Sequence, residues 1–414
     1  MENMKSYMDL GSYYVSDFVS NPEESNDRKK YSLDLVYVAD IKAVRFRELA
    51  PPETMWGKYW YRSGINMSMK LELKSIVDEV SKRTKLQDND VWLDIACNDG
   101  TMFTFMPDNV IKVGIDPCDD SYYQESSKVA NSVIQEYFTK EAYYKTPYAD
   151  KKCKVVTSIA MFYDLEKPAD FIKDICEILD DDGVWVMQLS YTPLMIEQVA
   201  FDNICHEHTY YHSLTSIKIL AEQQNMKIVD ANVNDANGGS IRVYLQKKIA
   251  KPNSFGNAHL RDVCNYRISS LLHFEDTRVD ISDANLWLEF HTKIDSLKQD
   301  TVRFIRSEKA KGKVIAGYGA STKGNTLLQY FGLDHNDISF IAERSERKFG
   351  LYTVGTNIPI VSEDEMRNLK PDYLLVLPWT FIDEFIAREK DFLDRGGKFI
   401  VPCPKFQIIG KNND

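Results

Sequence analysis

The sequence predicts an α/β protein that combines a small β-rich module with two doubly wound parallel sheets. Two series of short buried strands alternate with helical segments, one starting near Asp88 and the other at Lys313. Alternating strands and helices are typical of parallel sheets that carry helices on both faces. Ahead of the first series, the chain is instead rich in β-branched and aromatic residues, which favours a module of β-strands.

Length and composition restrict the class of protein. At 414 residues the chain is long enough for two or three domains. A net charge of −11 argues against nucleic acid or an anionic membrane as the main partner. Apolar runs stay short of a membrane span, and the first residues lack the core of a signal peptide. The seven cysteines form no C-x-x-C pair, so we expect reduced thiols in a cytoplasmic protein. We expect the protein to be either a monomer or a homodimer.

Residues 1–65 form the predicted β-rich module. The segment 31–46 (YSLDLVYVADIKAVRF) is β-branched and partly alternating, which predicts strands. An aromatic stretch follows at 56–64, and it either packs against a neighbouring domain or closes over a ligand. Tyr61 and Arg62 are its candidate substrate-binding residues.

Residues 66–250 form the predicted first α/β domain. It opens with a helix at 66–85, whose apolar residues recur on one face, and with the strand VWLDIA at 91–96. Further strands are predicted at 112–116, 154–162 and 184–191, and an antiparallel pair follows residue 225.

The remaining chain divides into two parts. Residues 251–310 are mostly helical and polar, and we interpret them as a bridge rather than a core. Residues 311–414 hold the second strand–helix series, which predicts a second, C-terminal Rossmann-like domain.

Three of the seven histidines lie within residues 206–212 (HEHTYYH). Because an unperturbed histidine titrates near neutral pH, His206 and His208, with Glu207 between them, are candidates for proton transfer. Two alternatives remain open, a polar loop whose histidines cap backbone groups and a metal site. The metal site is weaker, because H-x-H provides two ligands and nothing nearby provides the rest. We therefore predict no bound metal.

Residues 94–100 (DIACNDG) combine an acidic strand end, small residues and a glycine turn, and Asp116 ends the next strand. The stretch lacks the G-x-G-x-x-G fingerprint of dinucleotide folds and resembles motif I of class I S-adenosylmethionine-dependent methyltransferases. We expect Asp94 to engage the amino end of the cofactor, Gly100 to let the backbone approach it, and Asp116 to accept the ribose hydroxyls. A purely structural turn is the alternative. The predicted cofactor-binding residues are Asp94, Ala96, Asn98, Gly100 and Asp116.

A second glycine turn, GYGASTKGN at 317–325, lies between a strand and a helix. Backbone N–H groups at the start of that helix, with Lys323 close by, suit a phosphate or diphosphate. We therefore predict that Lys323 and Asn325 bind substrate. The alternative is a turn that needs glycine only for packing.

A longer series of motifs gives a more specific resemblance. In order they are DIACNDG, SIAMFYDLEKP, DNICHEHTYYHSLTS, NDANGGSIRVYL, GYGASTKGNTLLQYFG and LLVLPW. This order resembles the three-domain sugar C-methyltransferases, which methylate a carbon of a nucleotide-linked deoxy-keto sugar. The resemblance implies a class I methyltransferase domain that binds S-adenosylmethionine and a C-terminal domain that helps hold the nucleotide sugar. It also implies a catalytic base in the histidine-rich segment.

By position, His208 matches the catalytic base of that family, and Glu207 and His206 match its close neighbours. Cys205 stands where some members have a tyrosine that touches the sugar.

The N-terminal module of the family usually binds zinc through two cysteine pairs. Here no cysteine precedes Cys97, and Val38 and Ile41 stand at the positions of the second pair. Missing thiolates cannot hold tetrahedral zinc, so we expect apolar packing in place of the metal.

The sequence thus predicts an S-adenosylmethionine-dependent C-methyltransferase that acts on a nucleotide-linked 4-keto deoxy-sugar. His208 would remove the proton beside the ketone, and the enolate would attack the methyl group. Three alternatives stay open: an O- or N-methyltransferase on a similar sugar, a nucleotide-sugar oxidoreductase with Glu343 at its nicotinamide site, and a non-catalytic binding protein.

Overall fold

The computed structural model describes residues 4–56, 60–252 and 254–411. In chain order the strands are β1 (Ser6–Tyr14), β2 (Phe18–Val19), β3 (Lys30–Val38), β4 (Ala43–Phe46), β5 (Val91–Ile95), β6 (Ile111–Ile115), β7 (Ser132–Ile134), β8 (Cys153–Ile159), β9 (Leu179–Ser190), β10 (Tyr210–Tyr211), β11 (Met226–Asn234), β12 (Ser240–Lys247), β13 (Ile315–Tyr318), β14 (Ile341–Glu343), β15 (Tyr352–Thr353), β16 (Ile360–Ser362), β17 (Tyr373–Val376), β18 (Lys398–Val401) and β19 (Gln407–Ile409).

The α-helices, also in chain order, are α1 (Pro52–Trp56), α2 (Met67–Arg83), α3 (Asp120–Ser126), α4 (Lys140–Tyr144), α5 (Pro168–Ile178), α6 (Thr192–Gln198), α7 (Leu214–Gln223), α8 (Ala258–Thr277), α9 (Ala284–Ala310), α10 (Thr322–Phe331), α11 (Glu363–Leu369), α12 (Ile382–Arg388) and α13 (Lys390–Asp394). Short 3-10 turns lie at Pro22–Ser25, Ala39–Ile41, Thr101–Phe105, Phe162–Asp164, Phe201–Asn203, Ala236–Gly238, Glu346–Lys348 and Trp379–Phe381.

The N-terminal sheet contains the strands predicted between residues 31 and 46. Its order is β1-β3-β4-β10, and all of its pairings are antiparallel. The strand β10 comes from the histidine-rich segment, and its Tyr210 and Tyr211 pair with Arg45 and Val44. The N-terminal module therefore holds the histidine-rich segment in place through backbone hydrogen bonds.

The central sheet is the doubly wound sheet that the first strand–helix series predicts. Its order is β11-β12-β9-β8-β5-β6-β7; β12 runs antiparallel between β9 and β11, and the strands from β9 to β7 are parallel. All residues of β5 are buried, with Leu93 and Trp92 in the hydrophobic clusters on opposite faces. Burial on both faces explains why this strand is continuously apolar up to Asp94.

The C-terminal sheet has the order β16-β14-β13-β17-β18-β19, and every pairing is parallel except that of β19. A separate pair, β2 with β15, links the C-terminal part to the N-terminal module, with Val19 opposite Tyr352. The N-terminal module and the C-terminal part of the chain are therefore in direct contact.

The helices α8 and α9 are more than a bridge. Trp287, Phe290, Ile294 and Ile305 on α9 are buried in a hydrophobic cluster that includes residues of the N-terminal and C-terminal sheets. Their spacing places them on one face of the helix, while the other faces carry the polar residues that dominate its composition. Of the helices within the described ranges, none is both long enough and apolar enough to cross a bilayer.

Candidate active site

A cavity of about 420 Å³ opens where the carboxyl ends of β5, β6 and β8 meet the N-terminal module and α10. Ligands bind at this edge in open α/β sheets because the strand order reverses there. Most of the residues predicted for the site line it, namely Asp94, Ala96, Asn98 and Asp116 from the central sheet, Glu207 and His208 from the histidine-rich segment, Tyr61, and Lys323. Gly100, Arg62, His206 and Asn325 are absent from the lining.

The end of the cavity where we predict the cofactor is built around Asp116. Its Oδ2 accepts the backbone N–H of Asn98 at 2.7 Å, and its Oδ1 accepts that of Cys118 at 2.8 Å. Each carboxylate oxygen keeps a further lone pair, so hydroxyl donors can still bind there. Ala96 and Asn98 adopt positive φ angles of 58° and 53°, conformations that non-glycine residues rarely hold outside functional turns.

Asp94 lies beside this turn in a dry environment. It is buried, and its Oδ1 accepts a hydrogen bond from the Thr157 hydroxyl at 2.6 Å. Burial, with a smaller contribution from the charge of Asp116, raises the pKa of Asp94 to about 7. A cationic group near Asp94 would restore the carboxylate, which fits the amino end of S-adenosylmethionine.

Gly100 is closely packed within the protein. Its φ of +76° favours glycine, and a Cβ there would lie 2.7 Å from the Cα of Ser126 at the end of α3. Packing of the turn against this helix therefore accounts for the glycine without a ligand.

The segment at residues 60–64 lies over the turn at residues 96–100. The side chain of Asn98 accepts the Ser63 N–H and donates to the Tyr61 carbonyl, both at 3.0 Å. Arg62 points elsewhere, because it pairs with Glu125 and donates to Ser121 at 2.7 Å. The structure therefore brings Tyr61 to the cavity and directs Arg62 to the outside of α3.

His208 and His206 lie on different sides of the histidine-rich segment. His208 lines the cavity and is buried. His206 instead places Nε2 at 3.0 Å from the Tyr31 carbonyl oxygen in the N-terminal sheet. The chain turns at these residues, where the His208 N–H donates to the Cys205 carbonyl at 3.0 Å. Because of this turn, two histidines that would share one face of an extended strand point to different surroundings.

The environment of His208 keeps its imidazole neutral. Burial is the larger cause, and the positive charge of Lys323 adds to it, so the pKa of His208 lies well below its usual value of 6.5. The backbone carbonyl of Asn203 has a smaller, opposite effect and favours the protonated ring. A neutral imidazole carries a lone pair on one ring nitrogen, as a general base requires.

Two carboxyl groups accompany the imidazole, and one of them was missed by the sequence analysis. Burial raises the pKa of both Glu207 and Asp164. Glu207 Oε2 and Asp164 Oδ1 are closed to water and have no hydrogen-bond partner among the described residues. Asp164 lies just beyond β8, the strand next to β5, so its position after a buried strand was the available signal.

Lys323 belongs to the same end of the cavity. Its Nζ donates to Oδ1 of Asn203 at 2.6 Å. Asn325, the other residue predicted from this turn, points away and donates to the Asp17 carbonyl at 3.2 Å. Glu343, on which the oxidoreductase alternative depends, accepts the backbone N–H groups of Arg344 and Ser345 through Oε1.

Comparison with known proteins agrees with this architecture. A family model described as a methyltransferase domain matches residues 66–231, and one described as the C-methyltransferase C-terminal domain matches residues 235–404. The C-methyltransferase NovU of Streptomyces niveus is 27% identical over 400 residues, which span 95% of this chain and 91% of that protein.

Solved structures also resemble part of the chain. The plantazolicin methyltransferase BpumL in complex with SAH is 12% identical, with a TM-score of 0.34 over 43% of this chain and 82% of its own. An S-adenosylmethionine-dependent methyltransferase from Clostridium acetobutylicum is 11% identical, with a TM-score of 0.34 over 44% of this chain and 93% of its own. Likeness at this level carries no argument about function.

The sheet order, the cavity at the carboxyl ends of its strands and the matched methyltransferase domain define an S-adenosylmethionine-dependent methyltransferase of the class I fold. The match of the C-terminal part, with the full-length similarity to NovU, specifies the type of reaction. The chain is an S-adenosylmethionine-dependent C-methyltransferase in which a methyltransferase domain is joined to this C-terminal domain. The oxidoreductase, O- or N-methyltransferase and non-catalytic alternatives are thereby set aside.

Proposed function

We propose that the protein methylates a carbon next to the ketone of a nucleotide-linked 4-keto deoxy-sugar, with His208 as the base. The observation that carries this proposal is a neutral, buried imidazole in the same cavity as Asp94 and Asp116. The family resemblance supports the class of substrate.

The chemistry follows from the acidity of a carbon beside a ketone. When the proton leaves, the electron pair is shared with the carbonyl oxygen, so a neutral imidazole is a sufficient base. His208 takes the proton on the ring nitrogen that carries the lone pair. When bound, S-adenosylmethionine supplies an electrophilic methyl group, which the enolate carbon accepts.

The surrounding residues orient the reactants. Asp116 would hold the ribose hydroxyls and Asp94 the amino end of the cofactor, while Tyr61 would lie above them. Glu207 and Asp164 also line the cavity, where their carboxyl groups would bind hydroxyl groups of the sugar. Fixing both reactants in one dry cavity lowers the entropic part of the barrier.

The test is a product analysis. The protein is incubated with S-adenosylmethionine carrying a ¹³C-labelled methyl group and a panel of nucleotide-linked 4-keto sugars. We expect label on a carbon-bound methyl group, which ¹³C NMR separates from an oxygen-bound one. Labelled product with an oxygen-bound methyl, or no transfer to any member of the panel, would contradict the proposal.

A further inference from the structure

The position of Lys323 differs from the one that its glycine turn suggests. Its ammonium donates to the side chain of Asn203 at 2.6 Å, and both Lys323 and His208 line the cavity. The cation and the base therefore face the same space. An ammonium has three N–H donors, and this contact uses one of them.

Lys323 is also the source of positive charge at this end of the cavity. Among the described residues that line the cavity, it is the one lysine or arginine. Its charge opposes the rise that burial causes in the pKa values of Asp164, Glu207 and Asp202, and it contributes to the lowered pKa of His208.

The turn itself gives no sign of a phosphate cradle. A Cβ on Gly319 would lie 2.6 Å from Pro378 Cγ, and a Cβ on Gly324 would lie 2.6 Å from Leu377 Cβ. The Ser321 hydroxyl accepts the N–H of Gly324 at the start of α10. Packing against residues 377 and 378 thus accounts for these glycines, and the start of the helix is capped by its own chain.

We propose that the Lys323 ammonium holds the ketone oxygen of the substrate and stabilises the negative charge on that oxygen as the enolate forms. This inference rests on the proposed function. The C–H bond breaks and its proton moves to His208, its electron pair forms the C=C bond, and the carbonyl π pair moves onto oxygen. That oxygen accepts an N–H of Lys323, which keeps its proton. The pair on oxygen then re-forms the C=O bond, and the C=C pair forms the new bond to the methyl carbon. The methyl–sulfur bond breaks, and its electron pair stays on the sulfur of the departing S-adenosylhomocysteine.

The energetics explain why a cation belongs beside a base. Proton transfer converts two neutral groups into an imidazolium and an enolate. A positive charge that interacted only with the imidazolium would make the proton transfer less favourable. Placed at the ketone oxygen, it stabilises the enolate at closer range than it destabilises the imidazolium, and the absence of bulk water strengthens both interactions.

The test compares Lys323→Met and Lys323→Gln with the wild type and with Lys309→Met, an exposed lysine on α9. If Lys323 binds the ketone oxygen, kcat of Lys323→Met falls by about 10²–10³-fold, the usual loss for one oxyanion donor. The glutamine variant keeps an N–H donor without the charge, so its kcat lies between those of the wild type and Lys323→Met. Affinity for a nucleoside diphosphate without sugar stays at the wild-type value, measured by calorimetry. Lys309→Met behaves as wild type.

A second measurement does not depend on turnover. Because the charge of Lys323 lowers the pKa of His208, both variants should raise that pKa, as followed by NMR of ¹⁵N-labelled imidazole. Unchanged affinity for S-adenosylhomocysteine shows that the variants fold. A loss of nucleoside diphosphate affinity with kcat intact, or an unmoved His208 pKa, would overturn the inference. Wild-type enzyme that methylates none of the keto-sugars would instead overturn the proposed function.

Discussion

The imidazole of His208 lies against the phenol ring of Tyr163, with the ring centroids 4.0 Å apart and the planes inclined by 41°. Tyr163 is itself buried, so it excludes water from one face of the imidazole. For a buried group the loss of hydration outweighs the weak attraction between a cation and an aromatic face. The contact therefore helps to keep His208 neutral.

The first prediction concerns the pH dependence of the reaction. An unshifted histidine is half protonated at its ordinary pKa of 6.5 and loses half of its base form there. Because the pKa of His208 is lowered, the base form persists below that pH. At saturating cofactor, kcat/KM for the keto-sugar should stay level down to pH 6.5 and fall only below it. An acid limb centred at or above pH 6.5 would contradict this.

The second prediction separates the two histidines of the H-E-H motif. His208→Asn should reduce methylation by about 10²–10⁴-fold, the usual cost of losing a general base. In heavy water, wild-type enzyme with keto-sugar and S-adenosylhomocysteine should exchange deuterium into the carbon beside the ketone, and His208→Asn should not. His206→Asn is the control, because this histidine faces Tyr31, and it should keep a rate within about tenfold of wild type. The opposite ranking of the two variants would move the base to His206.

The third prediction concerns the ribose of the cofactor. Asp116→Ala removes a charged acceptor from the cavity and should weaken the binding of S-adenosylhomocysteine by about 1.5–3 kcal/mol, the range for a hydrogen bond to a charged group. Asp108→Asn, an exposed carboxylate before β6, is the control and should bind normally. Calorimetry that finds the same affinity for all three proteins would remove Asp116 from the site.

The fold could be predicted because the burial of a strand or helix is reflected in its local pattern of apolar and polar residues. The continuous apolar run of β5 indicates a strand covered on both faces, and the switch from strand to helix periodicity marks each βαβ unit. Contacts between distant segments have no such pattern. Nothing local in Tyr210 and Tyr211 shows that they pair with β4, and the polar surface of α9 hides the face that carries Trp287.

Site residues could be predicted where a characteristic residue type follows the end of a strand. They could not be predicted where the same sequence pattern serves two different roles. Asp94 and Asp116 belong to the first case. The glycine turn before α10 belongs to the second, because a phosphate cradle and a tight packing contact both require glycine. The position of Pro378 against Gly319 distinguishes a packing contact from a phosphate cradle, and that position depends on the tertiary fold.

The fourth prediction tests the side chain that joins Tyr61 and Ser63 to the cofactor turn. Asn98→Gly removes this amide while keeping the positive φ at no strain, whereas Asn98→Ala also strains the backbone. In Asn98→Gly the amide of Ser63 loses its acceptor and should exchange hydrogen faster, and KM should rise for both substrates. Asn98→Ala should show the same changes with an additional loss of thermal stability. Unaltered exchange at Ser63 would show that other contacts hold the segment.

The last prediction follows from the pKa of about 7 at Asp94. If Asp94 binds the cationic amino end of the cofactor, it must be ionised in the complex. Below pH 7 the free protein carries a proton there that has to leave on binding. The affinity for S-adenosylhomocysteine should then fall by up to about tenfold for each pH unit below 7 and level off above it.

The same pKa shift also determines how the stability of the ligand-free protein changes with pH. The pKa of Asp94 is raised above its ordinary value of 3.8, so the folded state favours the protonated carboxyl. This contribution to stability is fully present below pH 3.8 and is lost as the pH rises through about 7. Asp94→Asn cannot ionise, so relative to wild type it should gain thermal stability between pH 5 and pH 8. Calorimetry at pH 6 in buffers of different ionisation enthalpy counts the protons released when S-adenosylhomocysteine binds. We expect wild type to release close to one proton and Asp94→Asn to release none. Equal release by both proteins would show that Asp94 does not bind the amino end of the cofactor.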